Sequence, residues 1–425
     1  MQRAPKDIAS SEWRENWLVL AAATICCGAA TVHFLTIGLF TAPLQSEFGW
    51  SRGAVMASQA IVAVGTLLGG PISGAVIDRV GPGRIAPLAV SLYVAALAGI
   101  ALSSSTIASW WIAWTVMAVA SLFVKPILWT LTVAKRFDRS RGLAIGVVMC
   151  GPALFTIFIP SLTQWIIASS GWRTAYISLA ALTYAIMLPV TLFALGRTPG
   201  AGHSLAEPER SARRETGGGS LGSGTGSTFR QILRKRQFWQ LLISALLAGL
   251  CLIGLQIHLV PILTERHFSP AAAAGLVGAS GASAVVGRLG GGYLLDRWPG
   301  ASVGAGMFLI AAVASIMLRF TEGHEGVPVV AVLLLGLAYG AEVDVLSYLT
   351  TRYFGLRAYG SVFGTIAGVM GFGGGVGPMA AGMAYDALQT YDTVVLVCGL
   401  GLFVTAILIG TLGPYPGRAD FEFHM

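Results

Sequence analysis

The sequence predicts an all-α membrane protein of twelve transmembrane helices arranged as two pseudo-symmetric six-helix bundles. Three observations carry this. Only 11% of the 425 residues are charged and 55% are hydrophobic, whereas soluble globular chains carry about 25% charged residues. Apolar runs near the ~20 residues needed to cross a bilayer follow one another along the chain. Shifted by 218 residues, the chain matches itself at prolines, helix-end glycines and an Asp-Arg pair.

The predicted spans cover residues 17–40, 53–77, 85–104, 108–132, 142–168, 173–195, 238–263, 271–295, 302–320, 327–350, 359–385 and 392–412. One long polar stretch, 196–236, interrupts them. It is rich in Gly and Ser over 217–226 and ends on Arg234, Lys235 and Arg236, the composition of a flexible linker. The expected domains are therefore an N-terminal bundle over 1–195, a cytoplasmic linker over 196–236 and a C-terminal bundle over 237–425. Residues 1–16 are polar with both signs of charge, and the first apolar run is too long for a signal peptide, so none is expected.

The net charge of +8 does not indicate a nucleic-acid partner, because the basic residues sit between apolar runs. Of the 27 Lys and Arg, 21 fall on the side holding both termini and 4 (Arg52, Arg173, Arg266, Arg319) on the other. The positive-inside rule then places both termini in the cytoplasm of a multi-pass inner-membrane protein. Two cations, Lys125 and Arg288, are left within spans. The five cysteines lie in apolar runs without metal-ligand spacing and read as small buried hydrophobes. No metal or cofactor is expected.

The repeat aligns Pro43 with Pro261, Ser51 with Ser269, Gly69 with Gly287, Asp78-Arg79 with Asp296-Arg297, and Pro160 with Pro378. Parallel repeats of this kind occur in secondary transporters. Between spans 2 and 3 stands Gly74-x-x-x-Asp78-Arg79-x-Gly81-x-x-Arg84, echoed after span 8 by Gly292-x-x-x-Asp296-Arg297. This resembles the signature loop of the major facilitator superfamily, and the likeness extends over the whole chain. The resemblance implies the major facilitator fold and a gating role for Gly74, Asp78, Arg79, Gly81, Arg84, Asp296 and Arg297 at the cytoplasmic side. Phe48-Gly49-Trp50-Ser51-Arg52, with Arg288 in span 8, is similar to the monocarboxylate and oxalate–formate carrier branch. Those carriers often place an Asp four residues before the span-8 arginine, where this chain has Ala284.

Charges inside a membrane are costly and tend to be functional. Lys125 lies roughly 15 Å from the cytoplasmic end of span 4, near the midplane. Its counterpart at the repeat shift is Val343, between Glu342 and Asp344 of span 10. A guanidinium such as Arg288 can bind a carboxylate bidentately, and Lys125 can add a second positive charge. Two residues apart on a helix, Glu342 and Asp344 cannot face one direction, so one faces a cavity and the other packs against a helix. His33 and His258 are further substrate-binding candidates, since histidine titrates near neutrality, although packing histidines are commoner. Trp129, one turn beyond Lys125, could wall a cavity. Trp110, Trp111 and Trp114 read as an interfacial belt. The glycines crowding span 11 suit close helix packing.

The expected function is secondary active transport of a small organic anion, a mono- or dicarboxylate or an aromatic acid, by proton symport with alternating access. Arg288 and Lys125 would hold the carboxylate and Asp344 or Glu342 the proton, in a monomer surrounded by lipid. The alternatives are proton-coupled efflux of drugs or metabolites, and exchange of carboxylate anions. Span 5 reads Gly151-Pro152-Ala153-Leu154-Phe155 and lacks the Gly-Gly ending of the exporters' motif. An enzyme is not expected, as no nucleophile triad, metal spacing or nucleotide loop stands in the sequence. A receptor would need a signalling domain, and the linker does not read as one.

Overall fold

A computed structural model describes residues 5–80, 82–134, 136–137, 141–196, 229–320, 326–355 and 359–415. All the regular structure among them is helical. Among the described residues, ten helices are long and apolar enough to cross a membrane. One of these stretches, 143–192, holds two spans, because the backbone turns at Gly171 (φ 81°, ψ 167°). The shorter apolar helix Ile107–Ser121 continues after a break as Pro126–Ala134. This brings the number of spans to twelve. Large apolar side chains such as Leu68, Ile112, Phe158, Leu289 and Phe320 are exposed.

By contacts the chain divides into two compact units, residues 1–43 with 65–213, and residues 44–64 with 214–425. The single helix Arg52–Val80, span 2, thus contributes its first part to the second unit and its remainder to the first. The division after residue 213 falls within 197–228, a part of the expected linker that lies outside the described residues.

In the first unit, span 1 is not continuous: Pro5–Ala29 and Val32–Phe48 meet at a turn over Ala30 and Thr31. A Cβ on Gly28 would lie 2.6 Å from the Gly151 carbonyl oxygen, so spans 1 and 5 touch backbone to backbone. Span 3 is Pro82–Gly99. Span 4 departs from the expected unbroken helix, with residues 122–125 non-helical. Trp110 and Trp114, expected at an interface, are fully buried, while Trp111 is 38% exposed. Trp110 lies against Tyr176 with ring centroids 6.3 Å apart. Aromatic area of this size is better spent inside a bundle with a ring to meet.

In the second unit, span 7 runs Arg236–Ala248, a π-helical turn Gly249–Ile253, then Gly254–Glu265. A Cβ on Gly249 would lie 2.9 Å from the Gly374 nitrogen of span 11. Both first helices of the two halves are therefore irregular where a glycine meets a partner helix. Spans 8 to 12 are Pro270–Arg297, Gly300–Met317, Gly326–Phe354, Tyr359–Leu388 and Asp392–Gly410. The Ser51/Ser269 match has a physical basis. Each hydroxyl accepts the backbone N–H three residues on, from Ala54 and Ala272 respectively, both at 3.2 Å, and so caps its helix.

Candidate substrate and coupling site

In the second unit the site grows from the contact between spans 8 and 10. A Cβ on Gly340 would collide with the Ala284 carbonyl, one on Gly287 with the Leu337 carbonyl, and one on Gly336 with the Ser280 carbonyl. Ser283 Oγ donates to the Leu333 carbonyl at 2.6 Å. The two backbones touch along several turns, as small residues permit. Ala284 is 2% exposed inside this seam, so an acid there would have the span-10 backbone in its way. The acidic partner of Arg288 comes from span 10 instead.

Arg288 Nη1 lies 3.8 Å from Asp344 Oδ1, with side-chain exposures of 16% and 36%. That separation is too long for a hydrogen bond. Arg288 Nε is buried without a partner. The guanidinium is thus neighboured by a carboxylate but not locked to it. Glu342 is 3% exposed, and its Oε2 is also buried and unpartnered. Of the two acids, Asp344 faces Arg288 and retains access.

In the first unit Lys125 occupies the break in span 4, immediately before the helix that Pro126 opens. Proline suits that first helical position because no N–H is needed there. The Lys125 ammonium donates to Thr66 Oγ1 of span 2 at 2.7 Å. The expectation placed Lys125 on a regular helix. It stands instead on non-helical backbone at membrane depth, which is tolerated where the protein encloses it or a cavity is lined. His33 is buried and its Nδ1 lies 3.0 Å from Tyr93 Oη. That hydroxyl donates to the Ala30 carbonyl at 3.1 Å, at the turn in span 1.

Two candidates have other work. Trp129 is 1% exposed and its indole N–H donates to the Val124 carbonyl at 3.0 Å. It closes the break beside Lys125 and does not wall a cavity. His258 is fully buried. Its Nε2 donates to the Pro378 carbonyl at 2.8 Å, and its Nδ1 accepts from Tyr391 Oη at 2.8 Å. Neither nitrogen remains for a substrate, so His258 ties spans 7 and 11 to the start of span 12. Thr66 and Tyr93 carried no sequence signal, being a lone hydroxyl and a lone phenol in apolar runs.

Of the signature loop, Gly74 and Asp78 lie in the helix Arg52–Val80, although the Asp78 side chain is outside the described residues, as is Gly81. Arg79 and Arg84 are exposed, as are Asp296 and Arg297. The Arg297 guanidinium lies 4.0 Å from the Tyr293 ring centroid, a cation–π contact within its own helix.

Twelve spans, glycine-lined helix seams and charges held at membrane depth define a polytopic α-helical membrane protein of the transporter class. Residues 24–378 match the Major Facilitator Superfamily, and the chain belongs to that family, one of transporters rather than enzymes. Its relatives are distant. Human "Monocarboxylate transporter 12" is 23% identical over 305 residues, covering 65% of this chain and 57% of the human protein. Zebrafish (Danio rerio) "Monocarboxylate transporter 10" is 24% identical over 425 residues, 94% of this chain and 78% of that protein. "Uncharacterized MFS-type transporter YcxA" of Bacillus subtilis (strain 168) is 21% identical over 284 residues, 64% of each chain. The chain thus spans a little over half the length of the human relative it matches.

Proposed function

We propose that the protein moves a small organic carboxylate across the membrane by proton symport, with Arg288 as the anion anchor. One observation carries the reading: a guanidinium at membrane depth whose Nε has no partner and whose carboxylate neighbour stands beyond hydrogen-bond distance. An arginine so placed has unused donors in a medium where they are costly to leave unpaired. The monocarboxylate transporters among the relatives agree in substrate class.

The coupling follows from competition. Asp344 as a carboxylate neutralises Arg288 and opposes a second anion. Protonated, it releases the guanidinium, which then takes the substrate carboxylate in a bidentate pair. Glu342, buried with an unpartnered oxygen, is a second place for a proton. Lys125 and His33, in the first unit, are further substrate-binding candidates. The site is exposed alternately to the two sides of the cell inner membrane as the two repeats rock. Both termini are cytoplasmic, and a monomer suffices. The substitutions at Trp129 and His258 are expected to affect folding more than substrate binding.

The test is uptake of labelled pyruvate, succinate and benzoate into proteoliposomes with an imposed pH gradient. Gradient-driven accumulation of at least one acid by the native protein, lost in Arg288→Ala, is the expected result. Normal uptake of every transported acid by Arg288→Ala removes the anchor. Uptake that needs a counter-anion and ignores the gradient assigns exchange instead of symport.

A further inference from the structure

A polar cluster in the second unit lies at the end of span 2 opposite the signature loop, and the proposed substrate site uses none of it. The Asp386 carboxylate, near the end of span 11, accepts the backbone N–H of Arg52 at 2.9 Å and that of Gly53 at 2.7 Å. These are among the first N–H groups of the helix Arg52–Val80, which have no partner within the helix, and a carboxylate there also meets the positive end of the helix dipole. The Arg52 side chain completes the contact. Its Nη1 donates to Tyr391 Oη and its Nε to Gln45 Oε1, both at 3.0 Å. Its guanidinium lies 3.6 Å from the Tyr385 ring centroid.

Beneath this contact is a platform tied to itself. Tyr391 is held by His258 and, through its backbone N–H, by Glu265 at 3.1 Å. Thr390 donates to Glu265 at 2.8 Å, and Arg266 pairs with Asp392. Spans 7 and 12 are thereby bound to each other without span 2. The contacts of span 2 include its helix end, one arginine and glycine contacts. A Cβ on Gly53 would lie 2.6 Å from Met383 Cγ, and one on Gly382 2.9 Å from the Gly53 nitrogen.

We propose that Asp386 and Arg52 form a latch that closes this face of the transporter, the Asp386 carboxylate gripping the first turn of span 2 and letting go in each transport cycle. The cluster explains why residues 44–64 group with the second unit while the same helix from residue 65 groups with the first. A transporter that exposes its site alternately has to break one such attachment per cycle. By the positive-inside reading this is the outer face, since Arg52 and Arg266 lie there.

Two experiments on the full chain in lipid test the latch. In hydrogen-exchange mass spectrometry, Asp386→Asn is expected to speed exchange of the amides over 52–58 about fivefold, the size of effect that loss of a helix cap produces. The platform over 258–266 stays unchanged. Equal exchange in Asp386→Asn and native protein overturns the latch. Should Asp386→Asn fail to fold, Tyr385→Leu, which removes only the stacking face under Arg52, is read the same way. In the second experiment Gly53→Cys and Met383→Cys, with the native cysteines replaced by serine, are oxidised to a disulfide in proteoliposomes. Uptake of the labelled acids is expected to stop and to return on reduction with dithiothreitol. A quantitative cross-link with undiminished uptake overturns the latch, and so does failure of the two cysteines to bridge. The exchange experiment needs no substrate, so its result stands whether or not the carboxylate reading does.

Discussion

The contact between spans 2 and 4 and the contact between spans 8 and 10 are the same contact at the 218-residue repeat, yet they are built differently. In the second half Ala284 meets Gly340, and the helices touch at their backbones. The equivalent residues in the first half are Thr66 and Leu122. There a Cβ on Gly69 would strike the Leu122 side chain, not backbone. The helix stops at Leu122 and reopens at Pro126, and Lys125 in the gap reaches Thr66. Beside Gly70, the counterpart of Arg288, a Cβ would meet nothing within 4 Å. The repeat sets which helices meet. The size of one residue sets how closely, and hence whether the meeting place holds an arginine beside a carboxylate or a lysine on broken backbone.

Substitutions can break that comparison. Removing the cation beside Asp344, Arg288→Ala, is expected to lower carboxylate uptake at least about 30-fold, as truncating one member of a charged contact does. Arg288→Lys keeps the charge without the fork and retains part of the activity. In Asp344→Asn the imposed pH gradient no longer drives accumulation, while exchange of labelled for unlabelled acid across the same liposomes continues. If accumulation in Asp344→Asn still follows the gradient, the proton resides elsewhere, and Glu342→Gln is the next variant to measure.

The tightness of the second seam is tested by Gly340→Val. It forces a branched side chain into the Ala284 backbone and should destabilise the protein by about 1–3 kcal/mol. Gly70→Ala, with open space beside it, should leave the melting temperature unchanged or slightly raised. Equal losses in the two variants would remove the contrast between the seams. The smallest expected effect belongs to the looser seam. Thr66→Val takes the hydrogen bond from Lys125 and should raise KM about fivefold with kcat little changed, the worth of roughly one hydrogen bond. Thr66→Ser should restore it. A loss of kcat alone, or no rescue by serine, would make Thr66 a packing residue and nothing more.

Much of the fold was legible because bilayer thickness and hydropathy dictate helix length, and because paired prolines, serines and Asp-Arg motifs mark the repeat. The twelve spans came through as expected. The breaks did not. The turn at Ala30–Thr31, the π turn at Gly249–Ile253 and the gap at 122–125 all lie inside unbroken apolar runs, where hydropathy has no signal. Buried tryptophans looked like interfacial ones for the same reason, since composition says how apolar a side chain is and not what it meets.

Of the candidate site, the identities of Arg288, Lys125, Glu342 and Asp344 could be read from sequence, because a charge in an apolar run stands out at once. Composition and spacing alone therefore determined that this chain is a helical, repeated, membrane-spanning protein with a few expensive charges. Only the tertiary structure decided which acid neighbours Arg288, that Thr66 holds Lys125, that His258 is fully engaged, and that Asp386 grips the start of span 2. Each of those facts joins residues on different helices, and the axial rotation and spacing of helices are set by the glycines and side chains at their contacts, which no periodicity along a single apolar run records.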